Sequence, residues 1–354
     1  MNNIVEQLNG AGADRVIAGM SPRQVIDTLR FLKMSGGSMR LDKLHRLAAS
    51  VNPDLVPYIL TQNITAKLIE AYHSWGDDWR KICTVGRSEY LDQQVLERVP
   101  QLGMIDKLSD NGEELNLMAI ADAAQITYNI YGYGQMIEAD LRTHRSDRLG
   151  YFDDLGDRLG RAVISRLHQT IFIDALQSSP TLEDSNALFD NTNHDNDYDS
   201  GSAGKNLDYT NLVAVFRKLD SMHDAANEPL GAEKAYLIVG NYWREIAEQL
   251  VENTDQPGTA NRNLNTIKRR VKGVIYSRKL GYDWYVMADP KELPGLHVDF
   301  FEGNEDPSVV AEPTSSSYQF THPGRQRWAV WHYYGYAWKY WQAVVRGSTN
   351  NLAS

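Results

Sequence analysis

The residues from which a reactive centre could be built are nine histidines, one cysteine and a short run of alternating aspartates. A transition-metal site needs several nitrogen or sulfur ligands converging, on a helix through a spacing such as H-E-x-x-H. From His45 to His332 the histidines stand singly, and none has such a partner. Asp195, Asp197 and Asp199 alternate as in a calcium loop. However, Gly201 falls one place late, and Asn206 stands where that loop needs a bidentate glutamate. Gly132 and Gly134 begin a dinucleotide fingerprint that Ile137 breaks. Neither a G-x-x-x-x-G-K-[ST] phosphate loop nor a G-x-S-x-G elbow occurs. Cys83, within WRKICTV, reads as a small buried apolar residue, and one thiol cannot form an internal disulfide framework. The chain is therefore not expected to be an enzyme: no catalytic residue, cofactor or metal site is assigned.

The remaining constellation is aromatic: Trp328, Trp331, Tyr333, Tyr334, Tyr336, Trp338, Tyr340 and Trp341. Such rings could stack on sugars. Their alternation also suits a strand with one face in a core and the other against a neighbour. The chain has 354 residues, 42% hydrophobic and 10% aromatic, enough for about two domains with cores of their own. With 36 Lys+Arg against 46 Asp+Glu, net charge −10, it lacks the basic balance of a general nucleic-acid binder. No run approaches the roughly 20 apolar residues of a membrane span, and the N-terminal residues lack a signal-peptide pattern. A reducing cytoplasm is the expected place of synthesis.

Several elements would have to position these groups. Residues 21–34 predict a helix capped by Ser21 with Pro22 at its first turn. Shorter helices are predicted over 41–49 and 64–75. Residues 1–50 carry seven Lys/Arg and four Asp/Glu, a basic arm too thin to hold a core alone. Strands are predicted over 101–105 and 125–131 around a polar turn at 109–114, with Gly112, Glu113 and Glu114 at the tip of a ribbon that needs a partner surface. From about Asp147 the row Leu155, Leu159, Val163, Leu167, Ile171 and Ala175 predicts a helix of about 30 residues and roughly 45 Å, ended by Ser178-Ser179-Pro180. Beyond the polar loop 190–206 come a helix at 209–222, a buried strand at 235–239 and a helix at 243–251, the start of an α+β unit. Residues 262–279 hold seven cations and no acid; 283–312 hold eight acids against Lys291. Lys268, Arg269 and Arg270 could thus meet Glu302, Glu305 and Asp306 of a neighbouring copy, although two solvated faces would look the same.

The order of features resembles the Mu-like phage major head subunit family, major capsid proteins with the Hong Kong 97 fold. It is carried by Trp79-Arg80-Lys81-Ile82-Cys83, Gly112-Glu113-Glu114, Tyr131-Gly132-Tyr133-Gly134, the long helix from Leu149, Leu188-Phe189 with His194-Asp195-Asn196, LIVGNYWREIAEQL and the run 283–290. Ser146-Asp147-Arg148 departs from that family's Asn-Asp-Asp, and the match over 323–346 is loose. The resemblance implies an α+β Hong Kong 97-like chain: an N-terminal arm (1–75), an extended loop region (76–138), a peripheral domain with the long spine helix (139–206), an axial domain (207–310) and a return to the peripheral domain (311–354). It implies a structural head protein of a tailed phage, self-assembling into hexamers and pentamers around double-stranded DNA. Its partners would be copies of itself, a portal, and decoration or scaffolding proteins, with no specific nucleic-acid binding and no membrane. Two rivals from other classes stand beside it: a carbohydrate-binding virion or surface protein using the aromatic run, and a hydrolase centred on 190–206. The second lacks an acid, base or metal constellation.

Overall fold

A computed structural model describes residues 55–76, 78–99, 123–140, 151–198, 205–224, 227–256, 263–313, 316, 318, 321–322 and 325–348. The expected helices at 21–34 and 41–49, the strand at 101–105 and the tip residues Gly112, Glu113 and Glu114 lie outside them. In chain order the elements are α1 (Leu55–Ser74), β1 (Cys83–Ser88), β2 (Gln93–Arg98), β3 (Ala124–Asn129), β4 (Tyr131–Asp140), α2 (Tyr151–His168) and a π-helical segment (Gln169–Gln177). There follow α3 (Tyr209–Asp220), β5 (Ala235–Gly240), α4 (Arg244–Glu252), α5 (Ile267–Arg270), β6 (Val271–Ser277), β7 (Trp284–Ala288), β8 (Leu296–Phe301), β9 (Ser308–Ala311), β10 (Arg325–Trp338) and β11 (Val344–Ser348). The chain divides into two compact units, one of residues 1–72, 134–161 and 307–331, the other of 73–133, 162–306 and 332–354.

In the first unit, Ile64 of α1, Leu155 of α2 and Trp328 of β10 form a small core, joined by Ile137, Leu159, Val309 and Ala311. β9 pairs antiparallel with β10, from Trp328 opposite Ala311 to Trp331 opposite Ser308. The two helices approach closely because Gly156 and Gly160 face α1. A Cβ at Gly156 would lie 2.8 Å from the Ile64 carbonyl oxygen, and one at Gly160 2.6 Å from that of Leu68. Spaced four residues apart, the two glycines share one helix face, so any side chain there would force the helices apart.

The second unit is organised by a four-stranded sheet in the order β11-β7-β5-β6, with β5 parallel to β6 and antiparallel to β7. Every residue of β5 and β7 is buried, as expected for strands covered on both faces. One core cluster joins Leu212, Val215, Phe216 and Leu219 of α3, Ala247 and Leu250 of α4, Leu237 and Val239 of β5, and Trp284 and Val286 of β7. α3 begins where Asp208 in extended backbone accepts from the Asn211 amide at 2.8 Å, a side-chain N-cap. In the same unit β1 runs parallel to β8, and residues 334–338 of β10 pair antiparallel with β8.

The long helix departs from expectation in its second half. After His168 the regular α-helix gives way to nine π-helical residues, ended by Ser178. The buried set there, Thr170, Ile171, Phe172, Ala175 and Leu176, is broader than a single i, i+4 row. Two carbonyls of the segment have side-chain donors from β10: Trp338 Nε1 donates to Ala175 at 2.8 Å and the Tyr336 hydroxyl to Asp174 at 3.0 Å. These bonds satisfy backbone acceptors in a segment of irregular helical register.

Candidate assembly surfaces

The base of the expected ribbon is an antiparallel pair. β2 runs against β3 from Gln93 opposite Asn129 to Arg98 opposite Ala124, a sheet of two strands among the described residues. The strand expected at 125–131 is thus present over Ala124–Asn129, and its described partner is 93–98, a segment whose alternation had gone unread. The subunit grips this base with polar contacts. Arg98 donates to Glu183 at 2.8 Å and to the Lys339 carbonyl at 3.3 Å, while the Tyr340 hydroxyl reaches the Val99 carbonyl at 3.4 Å. The Tyr128 hydroxyl donates to the buried Asp299 carboxylate, whose other oxygen lies 2.9 Å from His297 Nε2. Burial pushes the Asp299 carboxyl up to about 6. Apolar cover is poorer: Tyr90, Leu91, Val95 and Val99 are all exposed, Val95 at 54%. A ribbon secured by hydrogen bonds at its base with valines in water is suited to covering by another chain.

The charged residues singled out in the sequence fall into two groups. Lys268, Arg269 and Arg270 share the short helix α5. Arg270 clasps Asp220 through two bonds, at 2.7 and 2.5 Å, with its guanidinium 4.6 Å over the Phe216 ring. Lys268 donates to the Glu252 carbonyl at 2.8 Å. Arg269 is exposed and has no ion pair among the described residues. On the acidic side, Glu302 follows β8 in left-handed backbone, φ 53°, and is exposed. Glu305 pairs with Arg80, and Asp306 lies 2.8 Å from His73 Nε2. Within the subunit Glu305 and Asp306 therefore face residues 73–80 rather than α5, and Arg270 already has an internal carboxylate. Nothing about the subunit alone brings the two groups together.

The other candidate groups have structural occupations. Asp197 forms a bidentate ion pair with Arg346 of β11, one arm at 2.9 Å, and Asp195 pairs with Lys218 at 2.8 Å. His194 is buried between the Leu188 carbonyl, 3.1 Å from Nδ1, and Asp184, 2.6 Å from Nε2, with its ring stacked on Trp341 at 4.1 Å. Cys83 is buried, and desolvation pushes its thiol far above the ordinary range, an inert environment. In the aromatic run, Trp328, Tyr334 and Trp338 are buried and none of the others ranks among the exposed large apolar side chains. The other five rings of the run are half-buried. The sequence reading missed the internal ion pairs Arg98–Glu183 and Asp197–Arg346. Their partners lie 85 and 149 positions apart along the chain, and no spacing rule links such positions.

Residues 123–347 match a protein-family model described as phage capsid protein. No curated protein matches the chain. Among solved structures, one from Mycobacterium phage Bobi is similar with a TM-score of 0.50 at 11% identity, covering 77% of this chain and 89% of that one. A virus-like particle from Pyrococcus furiosus gives 0.48 at 11%, covering 80% and 98%. The capsid of an empty GTA particle gives 0.49 at 13%, covering 76% and 88%. At these identities the likeness is one of fold, the Hong Kong 97-like fold of phage capsids.

Proposed function

Because this chain belongs to the phage capsid protein family, we propose that it builds its shell as hexamers and pentamers closing into an icosahedron around double-stranded DNA. It is a structural capsid protein of a tailed phage. Within that family we place it with the Mu-like major head subunits, on the residue order given above. The reading assigns the basic segment 1–75 to an arm, the β2–β3 ribbon with its tip to an extended loop, the long helix to the spine of a peripheral domain to which 311–354 return, and residues 207–310, with β5, β6 and β7, to an axial domain. A portal and decoration or scaffolding proteins would be its other partners. Assembly would take place in the bacterial host cytoplasm and the product would be the virion shell.

The observation that carries the reading is the ribbon: polar bonds hold its base, yet Val95 and Val99 stay in water. Head-to-tail repetition of one contact closes rings, and a ribbon laid over the next copy would supply the cover the subunit lacks. The acidic balance of the chain lets a shell contain a genome without gripping it, since phosphate binding scales with Lys/Arg contacts.

Electron microscopy of the expressed chain tests this. Shells, tubes or rings are expected; a chain that stays monomeric at every concentration overturns the reading. Deleting 106–122 should leave a folded, soluble subunit that builds no closed shells. Normal particles from that variant would remove the loop from the assembly contact. The free subunit should show negligible affinity for duplex DNA at physiological salt, and strongly salt-dependent binding would point instead to 262–279.

A further inference from the structure

At one end of the four-stranded sheet, the segments leaving β5 and entering β7 come together. The Gly240 amide donates to the Asp283 carbonyl at 2.9 Å, and a Cβ on Gly240 would sit 1.8 Å from the Gly281 carbonyl oxygen. Only glycine permits that approach, and it brings the rings of Tyr242 and Tyr282 to 4.5 Å. Trp243, buried beneath, locks the pair: its Nε1 donates to the Tyr282 carbonyl at 2.5 Å and its ring meets Tyr242 edge-on at 4.9 Å. Although held rigidly, the two tyrosines face solvent, Tyr242 at 57%, with Ile246 of α4 also exposed. Rigid exposed aromatics lose little freedom on binding and commonly anchor protein contacts.

The charges around this patch are sorted by element. On the α4 side Glu245 is exposed; on the β6–β7 turn Arg278 and Lys279 are exposed. None of the three has an ion-pair partner among the described residues. Arg278 lies 5.8 Å over the Trp75 ring, a contact that leaves its charge unneutralised. The other nearby cation, Arg244, is engaged by Glu248 at 3.3 Å and by the Tyr276 ring at 4.8 Å.

An apolar centre with an acid on one side and two bases on the other is self-complementary and fits the same surface of a second copy related by a two-fold axis, each acid meeting the other copy's bases. We infer that Tyr242, Ile246 and Tyr282 form a contact between copies of this chain, in which Arg278 and Lys279 of one subunit face Glu245 of the other. The inference rests on the shell reading and adds to it where the copies touch. This pairing is independent of the Arg270–Asp220 ion pair of α5, which is internal to the chain.

Its test is a charge swap in the full chain, with shells and free subunits separated by sedimentation. Glu245→Lys should lower the assembled fraction at least about tenfold, the effect of roughly 1.4 kcal/mol, with the unfolding midpoint unchanged. Adding Arg278→Glu and Lys279→Glu to the same chain should restore assembly. Tyr242→Ala, which adds no charge, should also lower it. Wild-type shell yield from Glu245→Lys or from Tyr242→Ala overturns the contact, and failure of the triple variant to recover overturns the pairing. A wild-type chain that never assembles overturns the shell reading itself and this inference with it, an outcome distinct from the others.

Discussion

The four-stranded sheet and the two-stranded ribbon differ in how much of their apolar surface the subunit covers by itself. In β5 and β7 every residue is buried, with helices α3 and α4 supplying Phe216, Leu219, Ala247 and Leu250 to the core. Along β2 burial only alternates between exposed and half-buried, and among the described residues β3 is the strand that pairs with it. The sheet is a finished core whose contacts are worth folding free energy. The ribbon buries Ile126 of β3 but is otherwise held by a few polar bonds at its base, with Val95 left in water.

Four substitutions break or sharpen that contrast. Leu237→Ala, in the middle of β5 and without exposure, should cost about 2–5 kcal/mol of unfolding free energy by removing a packed side chain from a core that cannot collapse around the gap. Denaturant titration of the subunit measures it; a loss below about 1 kcal/mol would mean the sheet is not the folding core. Arg98→Ala removes the half-buried pair with Glu183 and should cost about 1 kcal/mol. That loss should appear as faster hydrogen exchange in 93–98 and 124–129 and not in β5. Uniform acceleration across the unit would show that the ribbon base and the sheet open together.

The third variant concerns pH. Asp299 is raised by burial from an ordinary 3.8 to about 6, so its contribution to stability is full below pH 3.8 and lost as pH rises to about 6. His332 of β10 is lowered by burial from 6.5 to about 4. Its contribution is full above pH 6.5 and lost as pH falls to about 4. The two slopes oppose each other in nearly one window, so these two groups largely cancel there. Asp299→Asn should uncover a subunit that gains stability from pH 4 to 6.5. An unchanged profile would show that Asp299 titrates normally. The smallest effect is expected for Val95→Ser, which should alter subunit stability by no more than about 0.5 kcal/mol and yet reduce shell yield. A large destabilisation would show that the ribbon is already packed within the subunit.

Much of the body was legible in order. The apolar run 235–239 stands out as a strand because it has neither alternation nor breakers, and it is β5. Asp208 and the i, i+3, i+4 spacing of Leu212, Val215, Phe216 and Leu219 mark α3 as a capped helix with one buried face. The alternation of 328–338 is the inside-outside pattern of β10. Less legible was the second half of the long helix. Its apolar row runs on unbroken through Ile171 and Ala175, whereas the side chains that bond the carbonyls of its π-helical part, Tyr336 and Trp338, come from a strand more than 160 residues later.

Sequence alone determined what is local or cumulative: the mixture of helix and strand signals behind the α+β class, and the net charge of −10. Each depends on neighbours a few positions apart or on sums over the chain. Tertiary structure decided which charges were already spent. Arg270 looked like one of three equal cations until Asp220, fifty positions away, was placed against it, and Glu305 and Asp306 looked free until Arg80 and His73 met them. It also decided that Tyr242 and Tyr282, forty residues apart, share one exposed surface, because two glycines let their backbones touch. Charge and apolarity are properties of residues, whereas partnership depends on distances that only the folded chain sets.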